Sequence, residues 1–195
     1  AQVGYMMIGF GISVISKVYV GAAGGFFHLL THAMMKGLAF LAAGALLYSL
    51  HLAKGEHAPL ILDDLNGVCK KYPFIAFLLS LALLGLGGLP PMAGFMSKWQ
   101  ILLGAAQISS GLMIGVIIFV GLNSVLSLAY YAPMINRMYR HETSEAVASG
   151  KEVSWIMVLP MVILAVGIIA LGIWPSLATF LTNNAAASFI YAFGS

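Results

Sequence analysis

The chain has 195 residues, of which 61% are hydrophobic and 8% charged, with a mean hydropathy of +0.99. A soluble domain is roughly 45–50% apolar and about 25% charged, so a disordered chain, a soluble nucleic-acid binder and an ordinary cytosolic enzyme are excluded. What remains is an all-α polytopic membrane protein, because a spanning helix takes about 20 mostly apolar residues; the net charge of +3 adds little to that.

The chain opens on Ala1, with no basic stretch ahead of an apolar run and a cleavage site. This end therefore reads as a helix already under way, not as a signal peptide, and the chain is expected to be a piece of a longer one. About five spans follow from the apolar segments: about 1–16, 22–50, 73–107, 112–136 and 154–175, with an interfacial tail or short helix over 176–195. Together they make one transmembrane domain, 1–195.

The second segment carries His28, His32 and Lys36 at i, i+4 and i+8. That spacing puts all three on one helix face, with Thr31 near it, over about 12 Å. A histidine gains and loses a proton near neutral pH. Desolvation disfavours an ammonium, so a buried lysine can exchange protons as well. A single membrane histidine is ordinarily a packing residue, but two in line with a lysine read as a relay. Met34 and Met35 read as lipid-facing or core filler, and Lys17 as a solvated loop residue.

The third segment, at about 35 residues, is too long for one straight span and short for two. Inside it Gly88, Pro90, Pro91 and Gly94 mark a break at 88–94, because adjacent prolines remove two amide donors. Unpaired backbone at membrane depth is tolerated only where protein or a water-filled cavity covers it. Lys98 follows the break within the first turns. An ionisable group in mid-span costs at least about 2.5–3.5 kcal/mol. Neither Lys36 nor Lys98 can snorkel, each lying about 10 Å or more from its helix end. Broken helices in transporters aim their ends at ions, which makes Lys98 a site residue in preference to an anchor.

Loop charge decides how often 73–107 crosses. With one crossing, Lys54, Lys70, Lys71, Arg137, Arg140 and Lys151 share a side, opposite Lys17 alone; with two, the split is 3 to 4. The positive-inside rule favours one crossing by two half-helices. Loops 51–72 and 137–153 are then cytoplasmic and the C-terminus faces outward. All six acidic residues fall in those loops, so no carboxylate side chain lies in a span.

Cofactor chemistry finds no foothold. The single cysteine, Cys69, leaves no disulfide framework and no thiol set for zinc or iron–sulfur. His28 and His32 share a face and cannot ligate one haem axially. Residues 28–32 read His-Leu-Leu-Thr-His, without the Glu of a helical zinc protease. No glycine-rich nucleotide fingerprint follows a strand.

Four stretches carry a resemblance. Ala1-Gln2-Val3-Gly4-Tyr5-Met6 is similar to a Ser-x-x-Gln-x-Gly-Tyr helix. Residues His28 to Leu41 (HLLTHAMMKGLAFL) resemble a His-x3-His-x3-Lys helix. Gly88 to Lys98 (GLPPMAGFMSK) resembles a broken-helix motif, and Asn123-Ser124 through Tyr130-Tyr131-Ala132-Pro133 the helix after it. These motifs belong to the antiporter-like membrane subunits of respiratory complex I, Mrp-type cation/proton antiporters and membrane-bound hydrogenases, and the resemblance covers roughly 1–175.

The resemblance implies the C-terminal half of a fourteen-helix subunit: the second of two inverted five-helix repeats plus the last helix. It implies translocation of H⁺ or Na⁺, with Lys36, His32 and His28 as the central axis and Lys98 leading outward. Some family members carry Glu at the Lys98 position. The first repeat, with its Glu/Lys pair and input path, has no counterpart here, so this chain alone is not expected to pump. Its expected partners are other membrane subunits, further antiporter-like ones included, and the lipid bilayer, with no nucleic acid. Iron–sulfur clusters or flavin are expected only in partner subunits, and a prokaryotic cell membrane is the expected location. Alternatives are an Mrp-type antiporter subunit without a redox partner, and a structural scaffold or truncated paralogue that does not pump.

Overall fold

The computed structural model describes residues 1–54, 61–140 and 142–193, which form helices joined by short turns, with no strand among the described residues. Helix α1 (Gln2–Ser16) stops at Lys17, exposed and left-handed at φ 59°. Helix α2 (Tyr19–Lys54) is longer than its apolar stretch suggests, because no proline or charged pair interrupts it at either side. At 36 residues it extends about 54 Å. Residues 55–60 of the 51–72 loop lie outside the described residues; beyond them come a 3-10 turn (Leu62–Leu65) and the short α3 (Val68–Lys71).

Helices α4 (Pro73–Gly87) and α5 (Ala93–Ala106) flank the interruption. It covers 88–92 and not 88–94: Ala93 and Gly94 already belong to the first turn of α5. Two prolines ahead of a helix are compatible with its start, since the first-turn amides have no intrahelical partner. Helix α6 (Gly111–Arg140) runs through Pro133, and α7 (Glu145–Ser149) and α8 (Trp155–Ile173) follow. The tail, described to residue 193, is an 18-residue helix, α9 (Ser176–Phe193). Asn183 and Asn184 do not end it, since three alanines and further apolar residues follow. Among the described residues three helices are long and apolar enough to cross a membrane: Tyr19–Leu52, Gly111–Arg140 and Trp155–Ile173.

Helix α2 is the axis of the fold, with α1, α4, α5, α8 and α9 packed around it. The hydroxyl of Tyr72, just before α4, lies 2.7 Å from Ser49 Oγ. Gly85 and Gly94 both face Met35, Ser97 bonds His28, and Gly24 and Gly21 meet Ile101 and Gly104. The order is strictly antiparallel, so α4 and α5 continue one another along a single path beside α2. Close approach at the far end depends on small residues. A Cβ on Gly9 would lie 2.6 Å from the Gly21 carbonyl oxygen, and one on Gly104 would lie 2.7 Å from the Gly21 amide. Without a hydrophobic drive between helices in lipid, such close packing supplies much of the association.

The main core joins Leu38, Ala42 and Leu46 of α2 to Leu79, Ala82 and Leu86 of α4 and Met161, Ala165 and Ile168 of α8. At its loop end the Tyr72 hydroxyl donates to the Lys151 carbonyl at 2.9 Å, and Ser49 bonds the same carbonyl. This ties α2, α4 and the 150–151 turn together. Helix α6 exposes Leu112, Ile118, Phe119, Leu122, Val125 and Leu126, a continuous apolar face larger than soluble proteins carry.

Candidate functional site

The two prolines determine what the site is made of. In a continuous helix the amides of residues 90 and 91 would bond to the carbonyls of residues 86 and 87. Both positions are proline, without an N–H, so the Leu86 and Gly87 carbonyls have no helical partner. Gly88, at φ 87°, turns the chain away in a Schellman-type cap: its amide reaches Gly85 and that of Leu89 reaches Leu84. The carbonyls of 86 and 87 stay open at the negative end of the α4 dipole.

Side chains fill them. The Lys98 ammonium donates to Leu86 O at 3.0 Å, Gly87 O at 3.2 Å and the Ser124 hydroxyl at 3.1 Å. Its three donors thus have three oxygens, and it lies 4.7 Å from the centre of the Tyr5 ring. Each open carbonyl has a second donor: Gln2 Nε2 bonds Leu86 O at 3.1 Å and Ser124 Oγ bonds Gly87 O at 2.9 Å. Asn123 holds Tyr5 in place, donating to its hydroxyl at 2.8 Å. Lys98 is only 4% exposed, so an amine in an apolar helix is held by helix-end carbonyls and a hydroxyl, with no carboxylate among its hydrogen-bond partners. A cavity of about 210 Å³ lies beside it, lined by Gly88, Phe95, Trp99, Leu102 and Gly121 among others.

His28 is fully buried. Its Nδ1 lies 2.7 Å from Ser97 Oγ and its Nε2 lies 3.1 Å from Gln2 Oε1. Because Gln2 also bonds Leu86 O, a hydrogen-bonded chain runs Lys98–Leu86–Gln2–His28–Ser97. The Tyr5 ring meets His28 edge-on at 5.5 Å, and the His32 ring stacks at 6.1 Å.

The line of three on α2 is less uniform than the spacing suggests. Four residues advance a helix by 400°, so each step of four turns the side chain about 40°. His28 therefore faces the core, while His32 and Lys36 are half-buried at its rim. His32 Nε2 is buried and has no hydrogen-bond partner among the described residues, and the Lys36 ammonium lies over the exposed Phe40 ring at 5.3 Å. The structure thus joins Lys98 to His28 and leaves His32 and Lys36 on an open edge. Gly88, Pro90 and Pro91 lie in the interruption. Gly94 acts inside α5, where a Cβ would overlap the Gly85 carbonyl oxygen. Composition and spacing do not single out Gln2, Tyr5, Ser97 and Ser124 as site residues. The signal for them was present all the same: prolines at 90 and 91 declare open acceptors at 86 and 87. Among the described residues no group of three or more His, Cys, Asp or Glu could hold a metal ion.

Known proteins share this architecture. Residues 1–127 match the family described as NADH:quinone oxidoreductase/Mrp antiporter, TM. The F(420)H(2) dehydrogenase subunit N of Methanosarcina mazei is 31% identical over 90% of this chain and 34% of its own length. Among solved structures, respiratory complex I from Thermus thermophilus with bound aureothin superposes with a TM-score of 0.65 at 26% identity, over 90% of this chain and 36% of that one. The Mrp complex from Dietzia sp. DQ12-45-1b gives a TM-score of 0.76 at 23% identity, over 96% and 40%, a likeness of fold. The chain spans about a third of the length of the curated relatives it matches.

Proposed function

Because this chain belongs to the NADH:quinone oxidoreductase/Mrp antiporter transmembrane family, we propose that it forms the ion-translocating C-terminal part of an antiporter-like subunit in a redox-driven respiratory membrane complex. The observation that carries this reading is the buried ammonium of Lys98 on the open carbonyls of Leu86 and Gly87, joined through Gln2 to His28. Such a group loses or takes a proton when a neighbouring charge changes, because a like charge favours the neutral amine. Its conjugate oxygens stay satisfied in either state, since Gln2 and Ser124 remain.

On this reading 73–107 crosses the bilayer once, with loops 51–72 and 137–153 cytoplasmic and the C-terminus outside, in a prokaryotic cell membrane. The chain corresponds to the second inverted repeat plus the last helix. Lys98 leads outward through the adjoining cavity, and His28, His32 and Lys36 carry the charge laterally. The open edge at His32 and Lys36 is completed by the remainder of the subunit or by a neighbouring antiporter-like subunit. Redox energy arrives from partner subunits that hold the flavin or iron–sulfur groups. The ion is H⁺ or Na⁺.

A second reading, a subunit of an Mrp-type cation/proton antiporter with no redox partner, draws on the fold likeness to the Dietzia complex. Co-purification with flavin or iron–sulfur subunits separates the two. The test of the main reading is Lys98→Ala and Lys36→Ala in the assembled complex, reconstituted into proteoliposomes. Translocation should fall at least tenfold with subunit composition unchanged. Normal translocation in both variants would make the chain a scaffold or a non-pumping paralogue.

A further inference from the structure

The three hydrogen bonds around His28 are all satisfied together in only one protonation state of the ring. Gln2 donates its amide N–H to Leu86 O, so the oxygen of that amide is what faces His28 Nε2 at 3.1 Å. An amide oxygen only accepts, so Nε2 must carry a hydrogen. At Nδ1, Ser97 Oγ lies 2.7 Å away and also 3.0 Å from the Gly94 carbonyl. A hydroxyl has one hydrogen. If it goes to Gly94, Nδ1 must donate to Ser97 and His28 is an imidazolium. If it goes to Nδ1, His28 is neutral and the Gly94 contact is given up.

We infer that Gln2 and Ser97 are positioning residues for His28: Gln2 fixes the neutral ring as the Nε2–H tautomer, and Ser97 turns its hydroxyl from Nδ1 to the Gly94 carbonyl when the ring takes a second proton. The two states differ by one proton, held on Nδ1 in the charged ring; in both Ser97 carries a single hydrogen, directed at Nδ1 in the neutral state and at the Gly94 carbonyl in the charged one. Gly94 opens α5 one turn before Lys98, so the ring's charge state is written into the backbone of the half-helix that carries the second amine. The titratable groups facing His28 are Tyr5 from α1, Lys98 from α5 and His32 on its own helix. Helices α4 and α8 carry no charged residue or histidine, and α9 carries only Tyr191 as a titratable side chain, which is exposed. Among the described residues Ser97 carries the one hydroxyl bonded to the ring.

The consequence for transport rests on the function proposed above; the tautomer and the rotation do not. The test uses the complete subunit in its complex. With ¹⁵N-labelled histidine, solid-state NMR of the unsubstituted protein should show neutral His28 in one tautomer, protonated at Nε2. Gln2→Leu should give a mixture of both tautomers. With ¹³C-carbonyl glycine, the acid-minus-alkaline infrared difference spectrum should contain a glycine carbonyl band that vanishes in Ser97→Ala and returns in Ser97→Thr. Translocation should fall about tenfold in Ser97→Ala and recover to within about twofold in Ser97→Thr. A neutral ring carrying its hydrogen on Nδ1, or a glycine band unchanged by Ser97→Ala, overturns the inference. If translocation were normal in Lys98→Ala while the tautomer and the band stood as described, the transport reading would fail and the positioning roles would hold.

Discussion

Gly94→Ala should disable the site by displacing it, and the size of the displacement can be worked out. A Cβ at Gly94 would overlap the Gly85 carbonyl oxygen and lie 2.9 Å from both the Gly85 carbonyl carbon and Met35 Sδ. Carbon needs about 3.5–4.0 Å. Because the obstacle is backbone, the start of α5 must move by on the order of 1 Å. Ser97 and Lys98 follow three and four residues later, with bonds of 2.7 Å to His28 and 3.0 Å to Leu86. Lengthened by that much, neither survives as a hydrogen bond. Gly85→Ala is the control: its Cβ would meet Met35 Sδ at 2.9 Å and Met92 Sδ at 3.5 Å, both ends of flexible thioethers. There a gain in helix propensity of about 1 kcal/mol offsets the contact. Gly94→Ala should therefore cost roughly 1–3 kcal/mol of stability and lower translocation on the order of a hundredfold. Gly85→Ala should stay within about 1 kcal/mol and a few-fold of the parent. The assays are thermal unfolding of the detergent-purified complex and ion uptake in proteoliposomes. Equal behaviour of the two variants would refute the reasoning.

Other perturbations have clear expectations. Ser124→Ala removes one acceptor from Lys98 and one donor from Gly87; initial rates of translocation should drop several-fold, with assembly intact. Tyr72→Phe frees the Lys151 carbonyl from one of its two hydroxyl partners. It should cost about 1 kcal/mol and speed amide exchange at residues 150–151 in hydrogen-exchange mass spectrometry. Asp63→Asn breaks an ion pair whose side chains are 64% and 37% exposed. Such pairs contribute about 1 kcal/mol or less, so thermal stability should barely change.

Much of this was legible in the sequence, and the part that was not has a physical cause. Pro90 and Pro91 mark the interruption in any reading, and Lys36 and Lys98 stand out because apolar helices exclude charge. Two of the three partners of Lys98 were hidden because they are backbone carbonyls, which every residue has; only the missing amides at 90 and 91 single out Leu86 and Gly87. Gln2 and Ser97 are short-range neighbours of nothing in the sequence, and their role appears once α1 and α5 lie on opposite sides of His28. The spacing of His28, His32 and Lys36 suggested equivalence, whereas the 40° turn per step separates a core residue from two at the rim. Gly94 looked like part of the break because glycine is common there; in the fold it is the residue that lets α5 start against Gly85.

The site turns on two carbonyls left open by two prolines and taken up by one amine. A density map of the complete subunit in its complex, resolved well enough to place side-chain nitrogens, tests that directly. Lys98 Nζ should lie within about 3.2 Å of the carbonyl oxygens of both Leu86 and Gly87, with Gln2 between Leu86 and His28. An ammonium turned to bulk solvent or lipid, or carbonyls 86 and 87 bonded to backbone amides instead, would contradict it.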